Sequence, residues 1–260
     1  MRKWMGTVIG AAMMLGAAPA MATTMTLDLT GNSSTSGSSG NTRTFHATVG
    51  GQTVNVQATA WTMSRDWFGN YSIQSAYLGD YDKGLGVTTN DGWWFGGGSD
   101  DHTNGHTIDN KDSYDFVVLQ FDQLVQIDQA TLTAFKIGSS TDLDISTGIG
   151  TTGVNWNSIL GTSDISTLLG TRTDIDRNSS TSNGHTYTVD INPSDIQGNL
   201  LFVGASFDSS DRDDGFKLGG LTLSTVGAVP EPATWAMMIA GFGLVGAAMR
   251  RRPTIAHVAA

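Results

Sequence analysis

The acidic residues of this 260-residue chain are nearly all of one kind: of 24 Asp and Glu, only Glu231 is a glutamate. That asymmetry limits what the chain can fold into. Glutamate supports helix interiors, whereas the short aspartate side chain competes for backbone N–H groups and belongs in turns and caps. With 33 glycines and many Ser, Thr and Asn residues alongside, the composition describes strands joined by loops. There is no cysteine, so disulfides, thiolate metal sites and c-type haem attachment are excluded, and the apolar core alone must hold the fold.

Both ends of the chain differ from this body. Residues 1–22 begin with Arg2 and Lys3, continue through an uncharged apolar run from Met5 to Ala18, and finish with Ala20-Met21-Ala22. This is the pattern of a secretory signal peptide, cut after Ala22 or alternatively after Ala20. It implies the export machinery and a signal peptidase as partners. At the other end, Pro230-Glu231-Pro232 forms a stretch that neither helix nor strand can use, because each proline fixes φ and removes a donor. Ala233 to Met249 follows, 17 residues without a charge, and Arg250-Arg251-Arg252 closes it. The spacing predicts a short transmembrane helix over 233–249. Trp235 would sit at the interface, the arginines would stay on the cytoplasmic side of the inner membrane, and the body would lie outside. Residues 253–260 form a cytoplasmic tail of no evident role.

The exported body is residues 23–229. It holds nine Lys and Arg against 23 Asp, a net charge of −14, which disfavours nucleic acid as a partner because phosphates demand a basic surface. Residues 30–44 are almost entirely Ser, Thr, Gly and Asn and read as a loop. Alternating apolar segments fall at 25–29, 45–49, 53–61, 71–78, 85–87, 116–121, 130–137, 143–146, 186–191, 200–207 and 216–223. Gly50-Gly51 between two of them signals a hairpin. Ser163 to Leu169 reads as one short helix, capped by Ser163 or Asp164. The expected fold is mainly β, a β-sandwich of jelly-roll type.

Three groups of residues carry candidate chemistry. The Asp-rich stretches come first: Asp100-Asp101, Asp109 and Asp112 around His106, then Asp142 and Asp144, and then Asp208, Asp211, Asp213 and Asp214. Asp142 and Asp144, two apart on a strand, share one face. Dense carboxylates on loops suit Ca²⁺, a hard cation that takes six to eight oxygens. The candidate ligands are Asp109, Asp142, Asp144, Asp211, Asp213 and Asp214; the competing reading is turn residues and solubilising charge. The second group is aromatic. Neighbouring strand residues face opposite ways, so Trp93 and Trp94 cannot both enter the core of a regular strand. They either cap one end of the core or stack on sugar rings. His102 and His106 form the third group. They lack the glutamate and the helix of a zinc peptidase, so His106 is expected to be a loop residue bonded to backbone. No G-x-S-x-G elbow is present, only Asp is available in the body for a glycosidase acid pair and no Asp pair stands out, and no catalytic residue is assigned.

The C-terminal residues resemble the PEP-CTERM sorting signal. The matching elements, in order, are Pro230-Glu231-Pro232, Trp235-Ala236, the apolar helix, and Arg250-Arg251-Arg252. The resemblance implies processing near the first motif by an exosortase, a membrane-embedded, transpeptidase-like enzyme. The body also resembles exosortase-dependent surface proteins, through Gly84-Leu85-Gly86-Val87, His106-Thr107-Ile108-Asp109-Asn110 and Asp115 to Phe121. Those families imply no enzymatic activity. The resulting expectation is a non-catalytic cell-surface or extracellular-matrix protein, associated with exopolysaccharide and held transiently at the inner membrane. The alternatives are a Ca²⁺-dependent carbohydrate-binding module and a surface-anchored hydrolase.

Overall fold

The Gly50-Gly51 pair does what its sequence context predicts. In the computed structural model the two glycines take φ of 61° and 81°, the left-handed values a two-residue hairpin turn needs. They join β2 (Thr42–Val49) to β3 (Gln52–Arg65) in register, with Val49 opposite Gln52. The structure describes residues 22–31, 42–65, 70–89, 106–177, 181–225 and 232–250. The remaining strands of the body are β1 (Thr24–Asp28), β4 (Tyr71–Ser75), β5 (Tyr77–Tyr81), β6 (Gly84–Thr88), β7 (Ile108–Asp109), β8 (Tyr114–Ala134), β9 (Ile145–Gly150), β10 (Thr173–Ile175), β11 (Thr186–Asp190), β12 (Gln197–Ala205) and β13 (Gly215–Thr225), with helix α1 (Thr162–Leu169) between β9 and β10.

The mainly β expectation holds, and hydrogen bonding links the 13 strands into one continuous network. The reason is β8. The sequence reading divides this region into two strands, 116–121 and 130–137; the structure runs a single 21-residue strand through both. Its first half pairs with β3 and β12, and its second half with β13 and β11. A second link between the halves lies at Ala76. Before it β4 pairs with β3, and after it β5 pairs with β6. Residues from both halves pack into one core, including Val56, Val117, Leu119, Leu201, Val203, Leu27, Leu132 and Leu221.

Residues 114–121 are buried on both faces, which explains a sequence too apolar to alternate. Val117, Leu119 and Phe121 enter the main core, while Tyr114, Phe116 and Val118 point the other way. There they meet Leu200, Phe202 and Phe207, under a cover that includes Ile165 and Leu168 of α1. The cap of α1 differs from expectation. Gly161 is the N-cap residue, and the Asp164 carboxylate, three positions on, accepts its N–H at 3.1 Å.

The Gly84–Val87 run has a structural reason. Gly84 adopts φ of 120°, and a Cβ there would collide with the Leu218 carbonyl on β13. A Cβ on Gly86 would collide with the His106 carbonyl oxygen. The two segments singled out by resemblance therefore touch through backbone. His106 itself has φ of 65°; its ring stacks on Tyr81 at 5.5 Å, and Nδ1 pairs with the Thr88 hydroxyl. The expected loop position is right, and the Thr88 hydroxyl is one partner of its ring.

Outside the body, the C-terminal segment forms α2, Pro232–Arg250. The expected transmembrane helix needs correction here: among the described residues, no helix is long and apolar enough to cross a membrane. Nineteen residues at 1.5 Å rise span about 28 Å, just short of a hydrocarbon core of about 30 Å. Much of the sequence is Gly and Ala, which add little apolar surface.

We expect Gly86→Ala to destabilise the body by about 3 kcal/mol, because the methyl group meets backbone that cannot swing aside. Gly153→Ala, where a Cβ meets nothing within 4 Å, serves as the control and stays close to neutral. Urea unfolding monitored by tryptophan fluorescence checks both.

Candidate metal centre

Two carboxylates two positions apart meet a third, some 70 positions on, where β13 begins. Asp142 and Asp144 lie on the segment leading into β9, and Asp214 immediately precedes β13. The backbones of Asp142 and Asp214 form a parallel bridge. One oxygen from each of Asp142, Asp144 and Asp214 can be chosen so that all lie within 4.8 Å of one another.

The residue that builds this arrangement is Asn110, just after β7. It is fully buried, and its Nδ2 shares its hydrogens among the Ser206 carbonyl (3.0 Å), the Asp211 carbonyl (3.0 Å) and the Asp214 carboxylate (2.8 Å). Its Oδ1 accepts the Asp214 N–H at 3.1 Å. Asn110 thus fastens the loop between β12 and β13. The sequence reading quoted it within a motif and gave it no role. A buried amide that satisfies both strand and loop is found only once the chain is folded.

Backbone donors hold the other carboxylates. The Asp144 N–H donates to Asp214 Oδ1 at 2.6 Å, the Arg177 N–H to Asp144 Oδ1 at 2.6 Å, and the Leu143 N–H to Asp142 Oδ1 at 2.8 Å. The neighbouring arginine side chain is engaged elsewhere: the Arg212 guanidinium lies over the Tyr114 ring at 4.3 Å and donates to Tyr114 Oη and the Asn110 carbonyl. The acidic group is therefore crowded. Burial pushes the Asp214 carboxyl up to about 8, with the charges of Asp211, Asp144 and Asp142 acting in the same direction. Burial pushes Asp211 up to about 7, helped by its hydrogen bond to Asp213 and by the charges of Asp213 and Asp144. Asp144 is also raised, first by burial and then by Asp142 and Asp176.

Four of the six candidate ligands therefore gather, with Asp211 beside the three converging carboxylates; Asp213 adjoins Asp211. Asp109 does not join them. It is buried separately, its oxygens taken by the Thr107 hydroxyl (2.9 Å) and the Lys111 N–H (3.2 Å), and burial raises it to about 6. Its contribution is the β7–β13 pairing, where it stands opposite Gly215. The donor set is all oxygen, which fits Ca²⁺ or Mg²⁺ rather than a soft metal. The candidate sugar-stacking pair, Trp93 and Trp94, lies outside the described residues.

Of the sorting motif, Pro232 is the first residue of α2, the position where a missing N–H costs nothing, and Arg250 is the last. Trp235 and Ala236 lie within the first turns of the helix. Pro230, Glu231, Arg251 and Arg252 lie outside the described residues. The family model of the PEP-CTERM protein-sorting motif matches residues 228–252. The chain carries a PEP-CTERM sorting signal. The PEP-CTERM motif marks an exosortase-targeted surface protein. It implies export, with membrane anchoring through the C-terminal signal before processing. No curated protein matches the chain.

The raised carboxyls predict a pH dependence. A carboxyl whose pKa is higher folded than unfolded stabilises the fold fully below the unfolded value of about 4, and that stabilisation is lost as pH rises through the folded value. Without a divalent cation, thermal stability should fall between about pH 4, the unfolded carboxyl value, and pH 8, the raised value of Asp214, with Asp211 contributing up to about 7. Calcium should restore it at pH 8 and have little effect at pH 5. At a hundredfold excess over Kd the gain is about 2.7 kcal/mol. Asp142→Asn should abolish the calcium response, and calorimetry at both pH values checks it.

Proposed function

We propose that the chain is a non-catalytic protein of the cell surface or extracellular matrix, processed by an exosortase and retained by association with exopolysaccharide. The observation that carries this reading is the sorting motif at residues 228–252. The acidic, cysteine-free body supports an exported structural or binding role rather than nucleic-acid binding. Its resemblance to exosortase-dependent surface proteins, which carry no transferable activity, points the same way. The N-terminal signal peptide belongs to this reading, with cleavage placing Thr23 at the mature N-terminus. Intact mass of the protein from its native host should end near Pro230, and should run on to Ala260 in a host lacking the exosortase. A mass reaching Ala260 in both would leave the tail as a plain anchor and remove the main support for the reading.

A second reading is favoured by the convergence of Asp142, Asp144 and Asp214: a Ca²⁺-dependent carbohydrate-binding module. In it the acidic centre holds the cation, and Trp93 and Trp94 offer rings to a sugar. Retention of the mature protein on host exopolysaccharide should then be lost in EDTA and restored by calcium. Retention indifferent to EDTA favours the first reading. Polysaccharide turnover that vanishes on changing one Asp or His would instead make the protein a surface hydrolase.

A further inference from the structure

Residues 151–161 join β9 to α1 without forming a strand or helix. Surface connections of this kind are commonly mobile. This one is fastened by amide side chains from three neighbouring strands. Gln57 on β3 and Gln120 on β8 stand opposite each other in register, and both are buried. They lie on the face of the sheet that carries Trp61, Phe116 and Val118, where apolar packing alone would leave their amides without partners. The loop supplies those partners. Gln120 Nε2 donates to the Val154 carbonyl at 3.1 Å and to the Asn155 carbonyl at 2.8 Å, and Gln57 Nε2 donates to the Ser158 carbonyl at 3.2 Å. On β12, Asn199 takes both backbone groups of Thr152: its Oδ1 accepts the N–H at 2.8 Å and its Nδ2 donates to the carbonyl at 2.9 Å. The Ser158 N–H closes a turn on the Asn155 carbonyl at 2.9 Å, and Leu160 is buried in the second cluster.

The turn held in this way is Asn155-Trp156-Asn157-Ser158. Asn155 and Asn157 are exposed, and Trp156 is partly exposed. Among the described residues, none of these three side chains makes a hydrogen bond, and Trp156 is a member of neither buried cluster. Trp61 is the contrasting case: it is buried, and its indole N–H donates to the Thr59 hydroxyl at 2.8 Å. An indole whose N–H is left for an external acceptor, set between two amides that both donate and accept, has what a sugar ring needs. It offers an apolar plate to the C–H face and hydrogen-bonding groups to the hydroxyls. Because the backbone is already fixed, little conformational entropy is lost on binding. Charge defines the class of glycan. Residues 145–163 contain no Asp, Glu, Lys or Arg, in a body of nine Lys and Arg against 23 Asp. The loop brings no cation to pair with a uronate or sulfate, and the net charge of the body repels anions.

We propose that Asn155, Trp156 and Asn157 form a binding site for a neutral polysaccharide, with the indole stacked on a pyranose ring and the flanking amides bonded to its hydroxyls. The proposal rests on the exopolysaccharide reading above and gives that association a place on the body. Unlike the acidic centre, the site needs no cation.

The probes are the neutral and the acidic fractions of the host exopolysaccharide, separated on an anion exchanger and each entrapped in a native gel. Affinity electrophoresis of the full chain in mild detergent reads the dissociation constant from the retardation. The expected result is retardation by the neutral fraction, insensitive to EDTA and weakened about tenfold by Trp156→Ala. Trp156→Phe, which keeps a ring, should recover part of that loss. The double variant Asn155→Ala with Asn157→Ala should weaken binding severalfold. Its side chains are exposed, so it decides the matter if the thermal midpoint shows that Trp156→Ala does not fold. Equal retardation of the unsubstituted chain and the folded variants overturns the proposal and leaves the exopolysaccharide reading intact. Retardation that EDTA abolishes and the variants leave unchanged places binding at the acidic centre and overturns the proposal likewise. Retardation by the acidic fraction alone overturns the assignment to a neutral glycan. No retardation by either fraction overturns the exopolysaccharide reading and the proposal with it.

Discussion

The body depends on the double pairing of one strand. β8 is hydrogen-bonded along both edges, first by β3 and β12 and then by β13 and β11. Its first half is packed on both faces, against the main core and against the second cluster covered by α1. With no cysteine to staple the chain, this is how a body rich in loops is held as one cooperative unit. Removing either half of β8 would open two pairings and expose core on both sides.

The acidic centre follows from the same frame. β13 pairs with the second half of β8, and its first residues pair with β7. Asn110 comes directly after β7, so its buried amide reaches the loop that enters β13 and fixes Asp214 there. The segment entering β9 is carried alongside and brings Asp142 and Asp144. Carboxylates placed this closely raise one another's proton affinity, which adds to burial in pushing Asp211 and Asp214 up to about 7 and about 8. The fold thus sets a charge-sensitive centre at one end of β13 and the exit toward the sorting motif at the other.

Much of this was legible in the residues. Local alternation located most of the strands, and Gly50-Gly51 fixed a hairpin, since both signals act over a few residues. The fusion of 116–121 and 130–137 into one strand was not legible. The residues between them, Asp122 and Gln123 among them, look like a turn, but pairing with β12 across Gln126 and Val125 carries the strand on. Asp142, Asp144 and Asp214 were legible as candidates because they are dense in Asp, and Asp109 was included on the same ground. Nothing local distinguishes Asp109, whose carboxylate is satisfied by its own neighbours Thr107 and Lys111.

The sequence by itself determined the class of the body and its address. A chain whose acids are aspartate and whose glycines punctuate short apolar runs forms strands and turns. The order of prolines, apolar helix and arginines is a local signal that needs no folding to be read. Only the tertiary structure decided which aspartates meet and which residue holds them. Asp142 and Asp214 stand 72 positions apart, and their approach depends on strand register set by the packed core rather than on any neighbouring residue.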